Sequence, residues 1–187
     1  MENEANPALS KWSVLLVTTL SSFLTPFMSS SINIALPAIG KEFKMDAILL
    51  GWVATSYLLA AAMFLVPFGR LADLKGRKKI FLYGIFLYAI SSFLISISTS
   101  ALSLLIFRIV QGFGGAMIFG TAIAILTAVF PLSERGKVLG INTAAVYTGL
   151  SLGPFLGGFL TQNLGWRSIF LFNVCLCLLY TSDAADE

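Results

Sequence analysis

Residues 48–98 read ILLGWVATSYLLAAAMFLVPF, then GRLADLKGRKK, then IFLYGIFLYAISSFLISIS. Two apolar stretches, Ile48–Phe68 and Ile80–Ser98, flank a loop that carries Arg70, Lys75, Arg77, Lys78 and Lys79. A bilayer core is crossed by about 20 apolar helical residues. The segment therefore reads as a hairpin of two membrane helices joined by a short basic loop. Loops dense in Lys and Arg lie on the cytoplasmic side.

The pattern repeats on either side of this hairpin. Further spans are expected at Trp12–Leu36, Leu102–Val129 and Val138–Leu160, and a sixth apolar run begins at Ser168. The first span is too long for a signal peptide and lacks a small-residue cleavage site. Eight cations fall on one side: Lys11, Arg70, Lys75, Arg77, Lys78, Lys79, Arg135 and Lys137. Lys41, Lys44 and Arg167 fall on the other, and Arg108 lies within a span. Residues 1–11 are thus expected to be a cytoplasmic N-terminus. Trp12, Trp52 and Trp166 lie near span ends, where interfacial aromatics belong.

Composition agrees. Of the 187 residues 57% are hydrophobic and 11% charged, against about 25% charged in an ordinary soluble domain. Mean hydropathy is +0.89. These values exclude a soluble enzyme, a nucleic-acid binder and a disordered tail. Histidine is absent, which removes the commonest general base and metal ligand. Cys175 and Cys177 stand one residue apart and suggest neither a disulfide framework nor a zinc site. No catalytic constellation, metal site or cofactor is expected, and Gly112-Phe113-Gly114-Gly115 lacks both the spacing and the strand-to-helix setting of a nucleotide loop. The chain reads as an all-α membrane protein whose partner is the lipid bilayer.

The sixth run ends in Thr181-Ser182-Asp183-Ala184-Ala185-Asp186-Glu187. Residues 177–187 resemble the in-frame translation of a transposase sequencing adapter, the alternative being a natural short acidic terminus. The transmembrane bundle is accordingly expected over residues 12–176, with its sixth helix (168–176) truncated and the chain an incomplete fragment.

Within the spans, spacing is the signal. Arg108, Gly112, Ala116 and Gly120 recur every fourth residue, as do Ala145, Gly149, Gly153 and Gly157. Each set forms one stripe of a helix. Small residues at this spacing let helices approach closely in lipid, so plain packing competes with a functional role. Pro26 and Pro154 predict kinks. Thr18, Ser22, Thr25, Ser29 and Asn33 make a polar face on the first span, suited either to helix contacts or to a cavity. Arg108 stands about 9 Å in from the outer end of its helix at 1.5 Å per residue. Intramembrane charge is a functional candidate by default, the alternative being an arginine that snorkels to the interface. Gln111, one turn on, is placed to hydrogen-bond it. No acid lies in the first five spans to pair with it.

Four segments together resemble the major facilitator superfamily, and within it the drug:proton antiporters of the branch with fourteen spans. Gly69-Arg70-Leu71-Ala72-Asp73-Leu74-Lys75-Gly76-Arg77-Lys78-Lys79 is similar to the G-x-L-a-D-r-x-G-r-k loop, with Leu74 where a cation is usual. Arg108-Ile109-Val110-Gln111-Gly112-Phe113-Gly114-Gly115-Ala116 resembles the R-x-x-Q-G-x-g-x-a segment. Gly149-Leu150-Ser151-Leu152-Gly153-Pro154-Phe155-Leu156-Gly157-Gly158 resembles the antiporter signature G-x-x-x-G-P-x-x-G-G, and Gly165-Trp166-Arg167 the start of span six.

The resemblance implies a six-helix N-terminal half built from two three-helix repeats, with a cavity meeting a missing C-terminal half. It implies proton-coupled efflux of small amphipathic compounds or drugs by alternating access, in a bacterial or archaeal plasma membrane. Gly69, Asp73, Gly76, Arg77 and Lys78 would form a cytoplasmic gating loop, the alternative being charge that only sets topology. Arg108 and Gln111 would serve proton coupling, and Gly149, Gly153, Pro154, Gly157 and Gly158 the antiporter kink, with Thr25, Ser29 and Asn33 as possible cavity lining. Branch members carry an acid near the end of span one where this chain has Met28, so that proton site is not carried over. A symporter or uniporter of the same superfamily remains an alternative, as does a membrane scaffold or lipid-modifying enzyme.

Overall fold

The computed structural model describes residues 7–185, and the side chains of residues 11–179. Six helices follow in order: α1 (Pro7–Phe43), α2 (Ala47–Lys75), α3 (Arg77–Ser96), α4 (Ala101–Val129), α5 (Leu132–Leu164) and α6 (Arg167–Ala185). No strand occurs among the described residues. Five of the helices are long and apolar enough to cross a membrane, while the apolar part of α6, Arg167–Leu179, is shorter. Four of the five expected spans lie inside longer helices, and α3 ends at Ser96, two residues before the expected limit.

Local chemistry sets the ends. Asp46 caps α2 by accepting the Leu49 N–H at 2.7 Å, and Ser100 and Ser103 form a reciprocal box at the start of α4. Gly76, at φ +100°, ends α2 and begins α3 in a single residue. A side chain there would be strained, so this tight reversal needs glycine.

The helices pair as α1 with α5, α2 with α4, α3 with α4, and α6 with α3 and α1. Exchanging the first three helices for the last three turns the α1–α5 pair into α4–α2 and the α3–α4 pair into α6–α1. Two three-helix repeats produce this pattern. α1 is the most buried span, whereas α2 and α5 expose most of their surface.

Pro26 and Pro154 lie inside the long helices α1 and α5. All three expected interfacial tryptophans lie near helix ends; Trp12 and Trp52 are exposed, while Trp166 is buried against Phe43 and Phe170 and its indole N–H donates to Glu42 Oε2 at 2.7 Å. Beyond Leu176, α6 continues as helix to Ala185, with Cys177 buried in a cluster with Val17, Phe81, Ile85 and Tyr88. Cys177 follows directly on a packed helix, and Ala184 and Ala185 are strong helix formers.

Candidate functional site

α4 carries the charge at the centre. Arg108 is buried, its Nε donating to the Val53 carbonyl of α2 at 2.9 Å and an Nη to Gln111 Oε1 at 2.6 Å. Its guanidinium carbon stands 4.5 Å from the centre of the Tyr57 ring. The snorkelling alternative fails, because the side chain turns inward to helix partners instead of reaching the interface.

Gln111 passes the connection on. Its Nε2 donates to Ser92 Oγ of α3 at 2.7 Å, and Asn173 of α6 donates to the same oxygen at 2.8 Å. Ser92 in turn donates to the Tyr88 carbonyl at 2.7 Å. One buried polar chain therefore ties α2, α3, α4 and α6 together. In a low-dielectric interior each such group is costly when unmet, which holds the set to one arrangement. Ser92, Asn173, Tyr57 and the Val53 carbonyl were not singled out by sequence reasoning. The signal available was modest: a serine pair and an asparagine inside apolar runs.

A cleft of about 170 Å³ opens beside this centre, lined by Ser29, Ser30, Asn33, Tyr57, Arg108 and Leu150 among others. Ser29 and Asn33 are thus brought to it. Thr25 is not: it is buried and donates to the Ser21 carbonyl at 3.3 Å. Thr18 and Ser22 are buried with it, so the polar face of α1 divides into a packed part and a lining part. Met28 is buried in a core cluster with Ile32 and Leu104.

The glycine stripes set how closely the walls approach. A Cβ on Gly112 would fall 2.6 Å from the Tyr57 carbonyl oxygen, and one on Gly114 would fall 2.8 Å from the Tyr88 nitrogen. Gly112 and Gly120 therefore face α2, while Gly114 faces α3. On α5, a Cβ at Gly149 would strike the Phe23 carbonyl, one at Gly153 the Ser30 hydroxyl, and one at Gly157 the Ser31 side chain. Ser31 Oγ donates to the Gly153 carbonyl at 2.9 Å, pinning α1 to α5 beside the proline. Pro154 faces outward, and Gly158 approaches Ile34 at ordinary contact distance.

At the α2–α3 junction, Arg77 donates to Asp73 Oδ1 through Nε at 2.9 Å and, through an Nη, to the Ala124 carbonyl of α4 at 3.0 Å. One guanidinium thus clasps the basic loop to a third helix. Gly69 packs against Gly120, and Lys78 lies at a crevice with Val14, Val17 and Ile125. At the opposite helix ends, Arg167 binds both oxygens of Glu42 at 2.6 and 2.8 Å and the Ser98 carbonyl at 2.8 Å. Glu42 was not foreseen as a partner.

A family profile described as Major Facilitator Superfamily matches residues 18–182. The chain belongs to the major facilitator superfamily. It is similar to the riboflavin transporter RibZ of Clostridioides difficile (strain 630), 35% identical over 164 residues, 88% of this chain and 36% of that protein. It is similar also to the multidrug resistance protein Stp of Mycobacterium tuberculosis (strain ATCC 25618 / H37Rv), 35% identical over 181 residues, 92% of this chain and 34% of that protein. Among solved structures it resembles in fold the proton:xylose symporter XylE bound to 6-bromo-6-deoxy-D-glucose. The TM-score is 0.81 over 94% of this chain and 44% of that one, at 19% identity. The chain spans about a third of the length of the curated relatives it matches. As a superfamily member with five apolar spanning helices, it is an integral membrane protein.

Proposed function

We propose that the chain is the N-terminal half of a secondary transporter that expels small amphipathic compounds in exchange for protons by alternating access. The observation that carries this reading is Arg108, a charge buried in the wall of an open cleft and held by a chain of neutral hydrogen-bond partners. A fixed cation favours the deprotonated form of any acid brought opposite it. Such an acid would come from the C-terminal half of the same protein, which would also complete the cleft. The Stp relationship supports export, and the RibZ relationship supports a planar aromatic cargo. Arg77, Asp73, Gly69, Gly76 and Lys78 would form the clasp that one conformation makes and the other releases. Gly149, Gly153, Gly157 and Gly158 would hold α5 against α1, with Pro154 as the kink on its outer face. The cation distribution supports a cytoplasmic N-terminus in a bacterial plasma membrane.

The test is dye efflux by the full-length protein in proteoliposomes under an imposed pH gradient. Outward flux should follow the gradient and collapse with a protonophore. Flux indifferent to the gradient would indicate a uniporter, and flux in the direction of the protons a symporter. Arg108→Lys and Arg108→Ala should each lose gradient-driven flux by about tenfold or more, the scale of one charge-assisted contact. If both variants keep the wild-type rate, Arg108 has no part in coupling.

A further inference from the structure

Arg108 lines the cleft and is nevertheless only 1% exposed. Hydrogen bonds fix its direction: Nε to the Val53 carbonyl and one Nη to Gln111. The cover is the Tyr57 ring, whose centre stands 4.5 Å from the guanidinium carbon. A cation against an aromatic face is held by the ring's quadrupole, without a hydrogen bond. Moving the ring away would therefore break neither hydrogen bond that holds Arg108.

Two glycines of α4 set the ring in place. A Cβ on Gly112 would fall 2.6 Å from the Tyr57 carbonyl oxygen and 2.7 Å from the Ala60 Cβ, so the α2 backbone is seated against α4. A Cβ on Gly115 would fall 2.6 Å from the Tyr57 hydroxyl oxygen and 3.3 Å from two carbons of its ring. These three nearest atoms all belong to one side chain. Gly112 thus seats the backbone at Tyr57, whereas Gly115, off the every-fourth-residue stripe, leaves a notch for the tip of its side chain. With the backbone fixed, the ring can still turn between staggered wells. The cleft of about 170 Å³ that both side chains line is the space beside it.

We infer that Tyr57 is a shutter over Arg108: seated in the notch at Gly115 it covers the guanidinium, and its swing into the cleft uncovers the charge for the group that Arg108 serves. Tyr57 is then a positioning residue that decides when Arg108 can act. This rests on the reading of Arg108 as the coupling residue, whereas the cover itself is built entirely from α2 and α4.

The experiment labels the full-length protein in nanodiscs with phenylglyoxal, an arginine-selective probe, and reads each arginine separately by peptide mass spectrometry. Arg108 of the unmodified protein should label slowly beside the exposed Arg70. Gly115→Ala puts a methyl group where the hydroxyl sits and should speed labelling of Arg108 by about tenfold, the scale of one cation–π contact. Labelling of Arg70 should not change. Tyr57→Phe alone keeps the ring and should stay slow. Adding Tyr57→Phe to Gly115→Ala removes the clashing oxygen, so slow labelling should return, which a general packing defect at position 115 would not allow. In proteoliposomes, gradient-driven efflux should fall with Gly115→Ala and recover in the double variant. Arg108 labelled as fast as Arg70 in the unmodified protein overturns the inference. So does fast labelling of Gly115→Ala that Tyr57→Phe fails to reverse, or an exposed Arg108 with undiminished coupling. Should Gly115→Ala not fold, Tyr57→Leu decides, and slow labelling of Arg108 in that variant overturns the inference. Labelling that follows the shutter without proton-driven flux would sink the transport reading alone. Proton-driven flux with Arg108 equally reactive in every variant would sink this inference alone.

Discussion

Arg108 and Arg167 solve opposite problems with the same side chain. Arg167 sits at the helix ends, partly exposed, bound to both oxygens of Glu42 and to the Ser98 carbonyl in the turn after α3, with its guanidinium carbon 4.4 Å from the Trp166 ring centre. Arg108 is buried and meets a carbonyl, an amide oxygen and a tyrosine ring, all neutral. By ion pairs alone Arg167 would look the stronger clamp. Solvent reverses the ranking. Water screens the exposed pair, and such pairs contribute about 0–1 kcal/mol. In the interior, an unmet donor or acceptor costs about 1–3 kcal/mol, and more when charge is involved. The neutral contacts of Arg108 therefore hold more of the structure than the ionic contacts of Arg167.

The largest effect expected from that difference is at Gln111. Gln111→Leu removes the acceptor of Arg108 and the donor to Ser92 together, and should lower stability by about 3 kcal/mol or more. Thermal unfolding of the detergent-solubilised full-length protein reads this as a large fall in Tm. Ser92→Ala comes next: Gln111 and Asn173 both lose their shared acceptor, for about 1–3 kcal/mol. Arg77→Lys keeps the charge but loses the planar fork that joins Asp73 to the Ala124 carbonyl. It should cost about 1 kcal/mol and speed cleavage of the α2–α3 loop by added protease. Glu42→Gln should be the mildest, within about 1 kcal/mol, and raising the salt concentration should shrink its effect further. A Glu42→Gln variant that melts as early as Gln111→Leu would break the comparison.

The residues of the site were unequally legible for a geometric reason. Periodicity relates positions on one helix, so Arg108 and Gln111, three apart, were readable as neighbours. Ser92 and Asn173 are separated by 81 positions, and Glu42 and Trp166 by 124. Nothing in local spacing brings such pairs together. The α4 stripe shows the same boundary. Gly112 and Gly120 share a face as expected, yet Gly114, off the stripe, makes an equally close approach on α3, where Gly84 answers it. On α1, five polar residues looked equivalent. Packing buries Thr18, Ser22 and Thr25 and leaves Ser29 and Asn33 at the cleft.

By itself the sequence determined the class of the molecule: apolar runs long enough to cross a bilayer, basic loops between them, and one charge inside a span. These are properties of consecutive residues, because transfer into lipid and helix geometry act on each segment alone. Only the tertiary structure decided which helices meet, which face of α4 belongs to α2 and which to α3, and that Arg108 turns inward to neutral partners. Those outcomes depend on close packing between segments distant in the chain, where a missing Cβ or a single hydroxyl chooses the neighbour.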